Sequence, residues 1–495
     1  MNKNISNLRN LFVPLLQEGS GEVYRILLAV ILSATLASCG NEFLEKNPKL
    51  SVTEHDIYAS EELIDATMAG VYTRFKSSSF GGGNLAIIND NRGDDLLNTG
   101  NNTYYHSDTW NMTVGQNSIM NPSFFQAGYL AINAANTLKE NLEQRENLPI
   151  SEAKRQQYIA SCLFIRDISW YYLVQVYSQP YAYDPNSKAI PVHTEAVTGP
   201  GHNEAPLWTI SQVYDQILQD LSSSTIAALP SNNGSAFDPT IPTQPAAHML
   251  LQRIYMAKEQ WQEAIREGEQ VTGFSLSSSV RDMFDAPYHT AENIYSLPFT
   301  NTERGGGNPA SYISSGAGYI DTLNTRTGII TLPEYHLATD SRTSFIKVDP
   351  TTGRETWYEK YDEYTVPLEW IHIFRYAETL LNLSESYYNI GNYQKAAELL
   401  DQVRRRSIPE GDIIDVLSLT GEALKTAIYN ERRAEFIGEG MRGLDINRRA
   451  EDYIHPAATF TNGKWDTVVV ATPSNRTAYC WALPSYEILV NTSAQ

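Results

Sequence analysis

The chain has 495 residues, a net charge of −20 and three cysteines; its 11% aromatic content includes 30 Tyr against 15 Phe. That length exceeds what one ordinary hydrophobic core uses, so more than one lobe or a solenoid with insertions is expected. So acidic a chain lacks the basic footprint that nucleic acids require, and no two of Cys39, Cys162 and Cys480 have metal-ligand spacing.

Arg25 precedes an apolar run over 26–37. The run is too short to span a bilayer as a mature helix and suits the apolar region of an export signal. It closes with Leu36-Ala37-Ser38-Cys39-Gly40, which resembles the bacterial lipoprotein cleavage box. That resemblance implies a signal peptide over 1–38 and an acylated, palmitate-bearing Cys39. A plain signal peptide with a coincidental cysteine is the alternative. Residues 41–51 read as a polar tether.

Thr53 or Ser60 can cap a helix that runs to about Phe75. Residues 77–122 then turn to Gly, Asn, Asp, Thr and Tyr and read as a loop block with short strands at most. Loops of that length are functional or disordered, and Tyr104, Tyr105 and Trp110 argue for order. Helical periodicity returns over 123–142, 151–177 and 209–229, with a proline-rich connection over 179–206. Cys162 falls on the apolar face of the second of these helices.

Two later stretches share one register. Tyr255, Trp261, Ala264 and Val271 match Tyr387, Tyr393, Ala396 and Val403 step for step. A ring before a tight turn, a ring after it and a small residue three later is the tetratricopeptide pattern. Each stretch is expected to be a helix, a turn and an antiparallel helix, with Tyr171, Tyr172, Trp261, Tyr387 and Tyr393 in the core. The second hairpin is placed over 370–406. Between the two, 292–299 reads as a strand and 300–365 as a second loop block. A charged helix is expected over 421–449, and 480–491 closes the chain.

Several motifs follow one another along the chain. They are Leu163-Phe164-Ile165-Arg166 with Trp170-Tyr171-Tyr172; Phe374-Arg375-Tyr376-Ala377-Glu378; and Asn430-Glu431-Arg432-Arg433-Ala434-Glu435-Phe436 followed by Gly438, Gly440, Arg442 and Asp445. Leu483-Pro484 with Glu487 and Asn491 closes the set. In this order they resemble the SusD/RagB family of nutrient-binding lipoproteins. The resemblance covers nearly the whole mature chain. It implies a mostly α fold of about four tetratricopeptide-like helix pairs in a superhelical scaffold, with a loop-rich lobe carrying short β-hairpins. The regions are 1–38 signal peptide, 39–230 N-terminal region, 231–299 central helix pair and 300–495 C-terminal region. It further implies a lipid-anchored outer-membrane protein, exposed at the cell surface, that delivers an oligosaccharide or polysaccharide to a SusC-like TonB-dependent transporter. A peptide cargo on the same scaffold and a helical-repeat adaptor are the alternatives.

A sugar ring has apolar C–H faces and polar edges, so its binder needs aromatic platforms beside amides, carboxylates or Arg. The two loop blocks supply Asn91, Arg92, Asp94, Asp95, Tyr104, Tyr105 and Trp110, then Tyr312, Tyr319, Trp357 and Tyr358. These are the ligand-binding candidates. Asp90 to Asp95 do not fit a calcium loop, because the Gly is misplaced and no Glu closes it. No His-Glu-x-x-His, Walker loop or Gly-x-Ser-x-Gly occurs. Catalysis, a metal and a cofactor are therefore not expected.

Overall fold

Helices form where the sequence spaces its apolar residues by three and four, and irregular segments are pinned between them. A computed structural model describes residues 57–98, 106–199, 204–233, 237–302, 322–348, 355–361 and 368–494. The chain divides into Met1–Ala59 and Ser60–Gln495, and every element below lies in the second unit. Cys39 and the export segment lie outside the described residues.

The helices are α1 (Glu61–Phe75), α2 (Asn84–Arg92), α3 (Ser107–Trp110), α4 (Met120–Gln144), α5 (Glu152–Tyr177), α6 (Ile210–Asp220), α7 (Ser223–Ala228), α8 (Gln244–Ala257) and α9 (Trp261–Glu269). After a strand-bearing stretch come α10 (Tyr376–Asn389), α11 (Tyr393–Ser407), α12 (Gly421–Glu435), α13 (Met441–Arg448), α14 (Arg476–Tyr479) and α15 (Ser485–Val490). The described strands form two-stranded antiparallel ribbons: β1 (Leu96–Leu97) with β5 (Thr322–Leu323), β2 (Lys188–Pro191) with β3 (Leu207–Thr209), and β4 (Asn293–Leu297) with β8 (Ile371–Arg375). The others pair β6 (Ile346–Val348) with β7 (Glu355–Tyr358) and β9 (Tyr453–Thr461) with β10 (Lys464–Ala471). No described helix is long and apolar enough to cross a membrane.

The hairpins α4–α5, α8–α9 and α10–α11 make the scaffold. Ser151 caps α5 by accepting from Lys154 N, and Gly391, at φ +82°, turns the chain between α10 and α11. Small residues let the hairpins stack. Ala264 and Ala396 are fully buried, and a Cβ on Gly268 would meet Gln252 at 2.1 Å and Leu383 at 2.8 Å. Tyr171 and Tyr172 are core residues, but Tyr393 is exposed and Trp261 and Tyr387 are only half-buried. These last rings sit where the hairpins turn, at the edge of the stack.

Four expected elements are redrawn. The helix placed from Trp370 begins at Tyr376, because the β-branched and aromatic residues before it pair as β8 with β4. The helix over 209–229 breaks at Leu221 into α6 and α7. The charged helix over 421–449 breaks at Gly438 and Gly440, both at positive φ. The first loop block contains α2. Its Asn side chains bond back to the helix, Asn89 to Leu85 O and Asn91 to Ile87 O, while Ile87 and Ile88 enter the core. Ile87 and Leu96 share that core with Leu323, Ile329, Phe345 and Tyr361 of the second block.

Behind this lobe the family-like motifs meet as a buried ion-pair lattice. Arg375 reaches Glu292 (2.8 Å), Glu435 (2.6 Å) and Glu439 (2.8 Å). Glu435 also meets Arg406, Glu431 joins Arg342 (2.7 Å) to Arg404 (3.0 Å), and Arg253 on α8 holds Glu378 at 2.6 Å. Arg432 pairs with Asp445 on α13 at 2.8 Å. Burial alone would raise the Glu435 carboxyl, but Arg406, Arg375 and Arg342 hold it below the usual range.

Candidate functional site

The structure brings the two loop blocks together. β1 pairs with β5, Leu96 opposite Leu323. Asn324 Nδ2 donates to Asp94 O (2.6 Å) and Ile329 N donates to an Asp95 carboxylate oxygen (2.7 Å).

The acidic run itself is a foundation, its side chains engaged by groups of the protein. Asn91 and Arg92 are fully buried. The Asn91 amide is used within α2. Arg92 donates to Gln175 O (2.9 Å) and its guanidinium lies 4.7 Å over the Tyr453 ring. Arg433 on α12 grips Asp95 through two bonds (3.0 and 2.7 Å), and Arg442 on α13 grips Asp94 likewise (2.6 and 3.1 Å). Against the cost of burial, Arg442 and Arg433 hold the Asp94 carboxyl well below the usual range.

Among the candidate rings, Trp110 is half-buried at the end of α3 and stacks on His455 of β9, with centroids 3.8 Å apart and planes 17° from parallel. His455 is buried, and that burial lowers its pKa to about 4, so the indole rests on a neutral ring at pH 7. Trp357 and Tyr358 belong to β7, opposite Lys347 and Ile346 of β6; their side chains lie outside the described residues. Tyr104, Tyr105, Tyr312 and Tyr319 lie outside them altogether.

The structure adds residues that the sequence reading passed over. The ribbon β9–β10 carries Phe460 opposite Trp465, edge to face at 5.2 Å. Phe460 is 59% exposed, far beyond what packing a large ring requires. The Arg326 guanidinium, from the second loop block, lies 4.5 Å over the Trp465 ring. Arg326 is placed there by the turn beneath it: Arg326 N donates to Asn324 Oδ1 (3.0 Å), and Asn324 is the residue tied to Asp94. So the acidic run fixes Asn324, Asn324 fixes the turn, and the turn aims Arg326. The missed signal was Asn462-Gly463. Both residues have positive φ, 52° and 79°, and that dipeptide between apolar residues is the strongest short-range mark of a hairpin.

The ribbon therefore carries an exposed cluster of Phe460, Trp465 and Arg326, and separately the Trp110–His455 stack. It offers flat apolar platforms beside hydrogen-bond donors, which suits a ligand with apolar faces and hydroxylated edges. No described cluster of His, Cys, Asp or Glu could hold a metal ion.

Comparison with known proteins identifies a family. Residues 42–256 match a family model described as "Starch-binding associating with outer membrane", and 353–492 match the SusD family model. A SusD superfamily protein of Bacteroides fragilis, known from its crystal structure, is 38% identical, with a TM-score of 0.81 over 89% of this chain and 100% of that one. Surface glycan-binding protein A of Bacteroides uniformis shares the fold at a TM-score of 0.67 and 19% identity, over 88% of this chain and 99% of its own. A SusD-like protein of Bacteroides ovatus is 22% identical over 238 residues, which are 48% of this chain and 40% of that relative. That alignment therefore spans less than half of the relative's length.

Proposed function

From the premise that this chain belongs to the SusD superfamily, we propose that it is a non-catalytic, lipid-anchored protein of the outer-membrane surface that captures glycans. It would hold them on the exposed cluster of Phe460, Trp465 and Arg326, with Trp110, stacked on His455 of the same ribbon, as a further ring. The candidate rings Tyr104, Tyr105, Tyr312, Tyr319, Trp357 and Tyr358 of the two loop blocks, 77–122 and 300–365, complete the proposal. A SusC-like TonB-dependent transporter would receive the cargo, and acylated Cys39 would keep the protein at the membrane.

The observation that carries this reading is the Phe460–Trp465 pair with Arg326 laid over it. An exposed aromatic pair on a two-stranded ribbon adds little to folding, since most of its area stays in water. Its use is to offer ring faces to a ligand.

The test is binding to a polysaccharide panel by affinity electrophoresis and calorimetry. Trp465→Ala is expected to weaken binding about tenfold, the loss of one stacked ring, with an unchanged melting temperature. Trp110→Ala is expected to weaken it less, because that ring is half-buried. Unchanged affinity in both variants rejects this site. Retention of peptides and of no glycan rejects the cargo class. In membrane fractionation, Cys39→Ser should move the protein to the soluble fraction; full membrane retention of that variant would sink the anchor.

A further inference from the structure

A second concavity lies apart from the ribbon, between α4, the segment 193–197 and α15. Its volume is about 380 Å³, and its lining includes Phe125, Tyr129, Ile132, His193, Tyr486 and Glu487. That size and an aromatic lining with few polar groups are typical of small-ligand sites. Phe125 and Tyr129 stack with centroids 4.4 Å apart. Tyr486 meets Phe125 edge-on at 6.3 Å and remains 39% exposed.

Unused polar groups converge on the same space. Asn491 Nδ2 donates to one Glu487 carboxylate oxygen (2.8 Å), and the other takes no hydrogen bond among the described residues. The side chains of Gln126 and His193 likewise have no hydrogen bond among the described residues. By contrast, Asn133 is committed at both ends to Val197 (3.2 and 2.7 Å), and Tyr129 Oη donates to Pro191 O. The fold thus saturates the groups that hold the wall and leaves an acceptor, an amide and an imidazole facing the space. A purely apolar docking face would not need them. Burial also raises the Glu487 carboxyl above its usual range, the mark of a charge kept at a desolvated rim.

We propose that this groove is a second saccharide subsite, where Tyr486 supplies the ring face and Glu487, Gln126 and His193 bond the hydroxyls of one residue of a long glycan. The proposal rests on the glycan-binding reading above and extends it. Two weak subsites on one chain raise the retention of a polymer far more than that of a short oligosaccharide, because only the polymer engages both.

The experiment uses the full chain, with affinity electrophoresis through starch, xylan, dextran and polygalacturonate gels and calorimetry with short oligosaccharides of the polymer that retards it. Tyr486→Ala combined with Glu487→Gln is expected to lower polymer retention about tenfold and to leave short-oligosaccharide affinity within about twofold. Gln126→Ala, at an exposed position with no internal bond to lose, should give a smaller loss of the same kind and guards against misfolding. Unchanged polymer retention in both variants overturns the proposal. Intact polymer retention with loss of a co-purifying transporter would overturn it too, and would make the groove a protein-docking face. A wild-type chain retarded by none of the gels would instead fail the glycan reading on which this rests.

Discussion

Asp167 is buried in α5, and neither of its carboxylate oxygens has a hydrogen-bond partner among the described residues. Arg166 Nε lies 3.6 Å away, but its other nitrogens serve Asp220 (2.6 Å), Asn136 and Thr194 O. Burial, then the charge of Asp220, push the Asp167 carboxyl well above the usual range. A raised folded pKa means stability that is complete below the ordinary Asp value of about 3.9 and is lost as pH climbs toward the shifted one. Asp167→Asn keeps the shape and removes the titration. Its melting temperature relative to the parent should therefore rise between about pH 4 and pH 7; a difference that stays constant with pH refutes the assignment. This residue also shows why single positions were hard to read. Asn91, Arg92 and Asp95 have the composition of a hydrated loop, and the same composition serves a buried network. Only the partners decide, and the Arg433 partner of Asp95, on α12, lies 338 positions along the chain.

Among the elements, the helical hairpins were legible because a period of 3.6 residues is a local signal. Tyr255, Trp261, Ala264 and Val271 announce one hairpin before any contact is known. Strand β8 was not legible, since Ile371, Ile373 and Phe374 also fit the start of a helix and only pairing with β4 settles them. The β9–β10 ribbon was legible in principle through Asn462-Gly463. Its turn offers a clean separation of site from scaffold. Gly463→Val puts a β-branched residue at φ 79°, at a local cost of about 1–2 kcal/mol. Glycan affinity should fall several-fold as Phe460 and Trp465 lose their register, while the urea midpoint of the whole protein barely moves. A matching loss of global stability would mean that the ribbon belongs to the core.

Across the molecule, the ion-pair lattice joins β8, α8, α10, α11, α12 and α13, with Glu292 just before β4. Each buried carboxylate in it is neutralised by Arg or Lys, and the pairs matter chiefly through what happens when one member is lost. Glu435→Gln would leave Arg375 and Arg406 short of a counter-charge. Urea denaturation should show a loss of about 3–5 kcal/mol, well beyond the effect of changing an exposed charge; a loss below about 1 kcal/mol would show that Glu292 and Glu439 compensate. The motifs that gave the family resemblance, around Arg375 and Glu431 to Glu435, are this lattice and not the proposed ligand contacts. Fold was therefore written in the sequence far more plainly than cargo.

Asp94 and Asp95 clamp both loop blocks onto α12 and α13, and they hold Arg326 in place from below rather than touching what it faces. Substituting the outermost rings, Phe460 and Trp465, would leave these rivets untouched.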